Sequence, residues 1–316
     1  MGRALAIFDA AGIGRAVDLS GGPTAEALAE AIEAASRSQG RVVVFANLDW
    51  RGALEPGWLE RQLAWLGQAK AMGARGLKIF KSLGLTIRDP AGARLAVDDP
   101  RLDPIFEAAG RLGLPVAIHT GDPKAFFEPL GPGNERREEL ALNPAWSFAD
   151  RARFPAWDDL FAELVRRVER HPKTKFLAVH FGDDPEDPAH VGELMDRLPN
   201  LYVDTAARVG EIGRRPTALL RRIFLSHPRR ILFGSDIGVS RSRLTLGAPE
   251  PEPASDADAP PFYAAQFRFF ETSQRGLPNP IPVQGHWTVD GLGLPREALE
   301  ELYHRNAERL LGLAPL

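Results

Sequence analysis

The stretch from Leu114 to Pro123 reads LPVAIHTGDP. Its apolar run, Pro115 to Ile118, stops at His119, and Thr120, Gly121, Asp122 and Pro123 turn the chain. A short apolar run bounded by Gly and Pro predicts a strand buried on both faces. A histidine at the carboxyl end of such a strand stands on the rim where α/β folds keep their chemistry. Two further stretches repeat the design. KFLAVHFG, Lys175 to Gly182, delivers His180, and RILFGSDIG, Arg230 to Gly238, delivers Asp236. Three strand-end groups of metal-ligating type are the main functional signal of the sequence.

Outward from these strands the pattern alternates. Further strands are expected at Arg15–Ser20, Arg41–Leu48, Ala74–Lys81 and Leu201–Ala206. Helices are expected at Met1–Ala11, Ala25–Arg37 behind Thr24 as N-cap, Glu55–Met72 ahead of Gly73, and Asp103–Leu112. Later helices are expected at Asp158–Arg170, Pro188–Arg197, Pro216–Ser226, Phe262–Ser273 and Arg296–Leu311. About seven strands alternating with helices demand a parallel sheet covered by helices, either a (β/α)8 barrel or an open doubly wound sheet. No Gly-x-Gly-x-x-Gly follows a strand, which weakens the dinucleotide-binding form of the open sheet. The expectation is therefore an α/β protein, one (β/α)8 TIM barrel domain over residues 1–316. It is short of one strand, and because the chain opens on a helix the missing strand is the first. Such a barrel exposes two strand edges, so a fragile fold is expected. Long loops are expected at about 121–157 and 239–290; the first carries Phe126, Phe127 and Trp146, which suit a lid or binding loop rather than disorder.

Composition excludes several classes. The 316 residues are 44% hydrophobic and 26% charged, enough to bury a core. Net charge is -3, which argues against a general nucleic-acid binder. There is no cysteine, so disulfides, thiolate metal sites and cysteine nucleophiles are absent. No apolar run approaches a membrane span and the amino terminus lacks a signal-peptide layout, so a cytoplasmic protein with no membrane partner is expected.

Five motifs in order, AIHTGDP with His119, AVHFG with His180, LPNLYVDTAAR at Leu198–Arg208, ILFGSDIG with Asp236, and YHRNAERLLGL at Tyr303–Leu313, resemble the amidohydrolase superfamily, specifically its amidohydrolase-2 group. The resemblance implies a metal-dependent (β/α)8 barrel of hydrolase, hydratase or decarboxylase type. By motif position it makes His119 a metal ligand, and Asp236 the aspartate that binds metal and handles protons. His180 becomes catalytic base, electrophile or additional ligand. The group carries a His-x-His pair on its first strand, and this sequence has none, in keeping with the strand count. A start placed downstream of the natural one, a fragment, or a degenerate site would each account for that.

A divalent ion, expected to be Zn²⁺, suits neutral imidazole and carboxylate ligands. It would lower the pKa of water to roughly 7 and polarise a substrate oxygen. With two or three ligands instead of a full set, weak metal binding is expected. Lys78 and Lys81 fall on opposite faces of their strand, so one alone points inward, as a substrate-facing lysine in the plainer reading. Arg136 in the first long loop and Arg208 after the seventh strand are candidates to grip a substrate carboxylate; the alternative is a salt bridge tying loops, such as Arg208 with Glu211. His286 is a candidate at the active face, whereas His171 and His227 precede strands and His190 and His304 fall on helices, all reading as structural. Phe126, Phe127 and Trp146 read as the lid's own small core. The functional expectation is a metal-dependent hydrolase of an ester, lactone or amide, its partner a small-molecule substrate, with self-association left open. The alternatives are a decarboxylase on the same scaffold and a degenerate barrel that only binds.

Overall fold

The structure is a computed structural model that describes residues 1–121, 123–250 and 252–315. The turn expected at Asp122, and Pro251 in the second long loop, lie outside the described residues.

The parallel strands follow one another in chain order: β1 (Ala16–Asp18), β2 (Val42–Val44), β3 (Ala46–Asn47), β4 (Leu77–Ile79), β5 (Val116–Ile118), β6 (Phe176–Ala178), β7 (Leu201–Asp204) and β8 (Ile231–Leu232). β1 pairs with β2, and β3 to β8 form one sheet in the order β3-β4-β5-β6-β7-β8, all parallel. Only Phe45 separates β2 from β3, so the eight segments make seven staves, the number expected. Phe45 marks where the run changes partner: its N–H donates to Asp18 O, while the Ala46 N–H donates to Gly76 O. A Cβ on Gly76 would lie 2.2 Å from the Phe45 ring, so only glycine lets that ring pass.

The sheet curls until its ends share a core. Phe45, Ala117, Leu177, Val179 and Leu232 meet in one buried cluster, joined by Leu310 and Leu311 of the carboxyl-terminal helix, with Leu19 and Val43 packed against it. The outer faces of the strands and the surrounding helices form the larger core. Among the described residues β1 and β8 do not pair with each other. The two edges expected to be exposed are treated differently. On β8 the Phe233 N–H donates to Leu302 O (2.8 Å), and Asn306 Nδ2 donates to Ile231 O (2.7 Å). On β1, Val17 stays exposed. Of the two edges expected to be open, that of β8 is therefore partnered, Asn306 being itself buried.

Most helices stand where the periodicity puts them, including Gly2–Ala11, Ala25–Ser36 with Thr24 Oγ1 accepting from the Ala27 N–H, and Trp157–Arg170. The helix expected from Glu55 starts at Trp58, because Gly57 in front of it is left-handed (φ 77°). The strands are shorter than expected. In the parallel sheet Lys175–Gly182 pairs only over β6 and Arg230–Gly238 only over β8, since His180, Phe181 and Asp236 turn left-handed and leave the ladder. The long segments are structured. The first holds helix Arg137–Leu142; the second holds an antiparallel hairpin, β9 (Ile237–Val239) with β10 (Leu244–Leu246), and helix Ala259–Glu271.

Candidate active site

His119 follows β5 directly, and its N–H still donates to Ile79 O (3.0 Å), so the ladder fixes where its side chain starts. His180 sits two residues past β6 at φ 56°, a conformation that costs a non-glycine residue of order 1 kcal/mol and persists where surroundings enforce it. Here Asp204 Oδ1 accepts from the His180 N–H (2.8 Å) and from the Ala206 N–H (3.0 Å). His180 Nδ1 lies 2.8 Å from Ala206 O. A carbonyl only accepts, so Nδ1 carries the proton and Nε2 keeps its lone pair. Burial, then the positive Arg208, hold the His180 ring well below its ordinary pKa, so it is neutral.

The two imidazoles meet edge to face, centroids 4.5 Å apart. His119 Nε2 is 3.9 Å from Asp183 Oδ1, and the other oxygen of Asp183 accepts from the Thr120 N–H (3.0 Å). Lys78 on β4 is buried among these groups, whereas Lys81 lies beyond the strand with its ammonium 4.8 Å from the Trp146 ring centre. Burial pushes Lys78 down to about 8, against the pull of Asp204, Asp183 and Asp236. Burial likewise pushes Asp204 up to about 6, against its two backbone N–H donors and Lys78. The inward wall of the barrel mouth thus holds an imidazole pair, of which His180 is neutral, and a lysine–aspartate couple. Asp236 acts on both members of that couple but is itself exposed at φ 56° between β8 and the hairpin.

The remaining sequence candidates separate. Arg208 is buried, lies near enough to His180 to depress its pKa, and donates from Nη1 to Ala207 O (2.8 Å). Its Nε is 4.0 Å from Glu211, the loop partner anticipated for it. Arg136 is wholly buried, its Nη1 2.7 Å from Glu139 Oε2 and its Nη2 paired with Glu211. The substrate-gripping expectation for Arg136 is therefore corrected, because its charge is spent on two buried carboxylates under the lid. His286 is exposed and its Nε2 lies 3.0 Å from Glu138 Oε2 of helix Arg137–Leu142. Phe126 stacks with Trp146 and Phe127 packs on Phe148, making the lid's core. His171 and His227 are buried ahead of β6 and β8, bonded to Arg167 O and to Arg230.

Asp204 and Asp183 were not singled out from the sequence. Asp204 was within reach: it ends the apolar strand LYVD by the rule that identifies His119. Asp183 was not, because it follows the left-handed turn that carries it back to β5.

In donor chemistry, two imidazoles with carboxylates around them fit a divalent ion of the zinc or manganese kind. In number they fall short: among the described residues no three His, Cys, Asp or Glu side chains stand together as a set that could hold one.

The family model described as Amidohydrolase matches residues 3–313. No curated protein matches the chain. Among solved structures, an uncharacterised TIM-barrel protein from Bordetella bronchiseptica superposes with TM-score 0.56 at 17% identity, over 98% of this chain and 81% of that one. A dihydroxybenzoic acid decarboxylase from a Polaromonas species, with bound manganese and the inhibitor 2-nitroresorcinol, gives 0.54 at 16% identity, over 99% and 86%. A probable 2-pyrone-4,6-dicarboxylic acid hydrolase from Acinetobacter baumannii, with citric acid bound, gives 0.52 at 13% identity, over 99% and 88%. These likenesses show the fold, a TIM barrel. No helix among the described residues is long and apolar enough to cross a membrane.

Proposed function

The chain belongs to the amidohydrolase family, and we propose that it is a metal-dependent hydrolase acting on an ester, lactone or amide of a small carboxylic acid at the carboxyl rim of its barrel. The observation that carries this reading is the imidazole pair His119–His180 set against the buried couple of Lys78 and Asp204. His119, His180 and Asp236 are the candidates for a divalent ion by their place at the strand ends, although among the described residues no three such side chains stand together as a set that could hold one; a bound ion would polarise the substrate carbonyl and bring the pKa of water to roughly 7.

The chain's own groups supply the rest. His180, neutral and with Nδ1–H committed to Ala206 O, presents Nε2 as ligand or proton acceptor, never as the resting acid. Asp236 takes a proton from the attacking water and returns it to the leaving group. Lys78, at about 8, is mostly cationic at neutral pH, and a cation on the inner wall draws a substrate carboxylate inward. Arg208, buried beside His180, is a second cation for the same carboxylate. One neighbour of this fold, the Acinetobacter baumannii protein, holds citric acid, a small carboxylate, which supports the same substrate class here.

One observation favours a second reading, decarboxylation. Asp204, held up at about 6, keeps its proton further toward neutrality than an ordinary aspartate, which suits protonation of the carbanion that loss of carbon dioxide leaves. The test is turnover of esters, lactones and amides, and in parallel of aromatic and unsaturated acids, with added Zn²⁺ or Mn²⁺. Acid release with water consumed supports the hydrolase; carbon dioxide without water consumption moves the assignment to the lyase. No turnover of either class by metal-loaded protein refutes both and leaves a barrel that only binds.

A further inference from the structure

Of the six lysines in the chain only Lys78 is buried, 4% exposed. Strand register fixes the face it occupies. Lys78 stands opposite Ala117, Ala117 opposite Leu177, and Asp204 opposite Leu232. Ala117, Leu177 and Leu232 belong to the cluster that fills the barrel, and paired residues of a parallel sheet share a face, so Lys78 and Asp204 both point inward. Lys78 Nζ lies 5.4 Å from the ring centre of Phe80. Phe80 directly follows β4 and is 42% exposed, so the amine reaches an aromatic ring that is open to solvent at the rim. Lys78 makes no hydrogen bond or ion pair among the described residues.

The residue type matters here. The chain uses 33 arginines and six lysines, yet it places a lysine at this inner position. Arginine would hold a permanent charge, whereas a buried lysine can give up its proton and become a nucleophile. Burial pushes Lys78 down to about 8, so at pH 7 its neutral fraction is about 300-fold that of an ordinary lysine amine at 10.5. The carboxylate that acts most strongly on it is Asp204. Asp204 Oδ1 is taken by the His180 and Ala206 N–H groups, and its Oδ2 accepts no hydrogen bond among the described residues.

We propose that Lys78 is a nucleophile that forms an imine with the ketone carbonyl of a small oxo acid at the rim, with Asp204 as the acid. The neutral amine adds to the carbonyl carbon, and its proton passes to the carbonyl oxygen. The resulting hydroxyl leaves as water with a proton from Asp204 Oδ2, which leaves an iminium beside the Asp204 carboxylate. The step needs no oxidant, reductant or metal ion. The inference rests on the proposed function only in giving the substrate a carboxylate for Arg208 to hold.

The test incubates the full chain with pyruvate in the presence of EDTA, reduces with sodium borohydride and maps the secondary amine by peptide mass spectrometry. Lys78 is expected to be labelled at least about tenfold faster than any of the other lysines. Lys78→Arg, which keeps the charge, is expected to lose that label. Labelling of Lys78 no faster than of the other lysines, or unchanged total labelling in folded Lys78→Arg, overturns the proposal; if that variant does not fold, the wild-type map decides alone. Butanone, which lacks the carboxylate, is expected to label Lys78 about tenfold more slowly. Equal labelling by butanone supports the nucleophile and overturns the carboxylate reading, so the two fail separately.

Discussion

Replacing Arg136 by methionine should destabilise the whole barrel, although the residue lies in a connecting segment. Arg136 is completely buried, and it faces Glu139 at 2.7 Å and Glu211, both buried as well. Burial pushes the guanidinium down from its ordinary pKa, with Glu139 pulling it back up and Arg208 pushing the same way as burial. Removing it leaves two carboxylates inside the protein with Arg208 as the remaining cation nearby. Breaking a buried pair in this way costs about 3–5 kcal/mol. An unfolding entropy near 2.1 cal/mol/K per residue gives roughly 0.66 kcal/mol/K for a chain of 316 residues. The loss then amounts to a fall in melting temperature of roughly 5–8 °C. Differential scanning calorimetry on wild type and Arg136→Met measures it. The exposed pair Arg214–Glu135 is the control, and Arg214→Ala should cost no more than about 1 kcal/mol. The double variant Arg136→Met/Glu211→Leu should recover part of the loss, since it removes a stranded charge together with its partner. A shift below about 1 °C for Arg136→Met would refute the reasoning, because it would mean that Glu139 and Glu211 are solvated or neutral.

Further outcomes follow from other residues. Lys78 has a folded pKa of about 8 against 10.5 for an ordinary lysine amine, so the unfolded chain binds the extra proton between those values. Stability should therefore rise with pH between about 8 and 10.5, and a urea titration of Lys78→Met should lack that rise. Asp204 has the opposite sign: its folded value of about 6 exceeds 3.8, so its contribution is full below 3.8 and is lost as pH rises through about 6, a slope that Asp204→Asn should remove. Asn306→Leu should cost about 2–4 kcal/mol in urea denaturation, because it frees Ile231 O and Pro228 O of a buried double donor; a loss under 1 kcal/mol would show the β8 edge to be satisfied by water. His119→Ala should abolish metal-dependent turnover while circular dichroism stays unchanged, and full activity in it would remove His119 from the site.

What the sequence determined about this protein is what local pattern can encode. Apolar runs bounded by Gly and Pro set the seven staves and their parallel order, because a strand buried on both faces cannot be polar. The same logic put His119 on the rim, since the residue after a buried strand has one place to go. The Ala25 and Arg296 helices followed from periodicity and caps, with Thr24 and Gly312 as their boundaries. Tertiary structure alone decided the rest. His180 and Asp236 leave their strands through left-handed turns, and only the contacts around them stabilise those dihedrals. Arg136 and Arg208 look alike in a sequence, yet one is enclosed between Glu139 and Glu211 and the other lies beside His180, a difference made by residues about 70 positions apart folding together. Lys78 and Asp204 owe their shifted acidities to desolvation inside the closed sheet, a property of the barrel rather than of either strand. The β8 edge is sealed by Asn306, which the chain supplies only after it has come round to the start of the barrel.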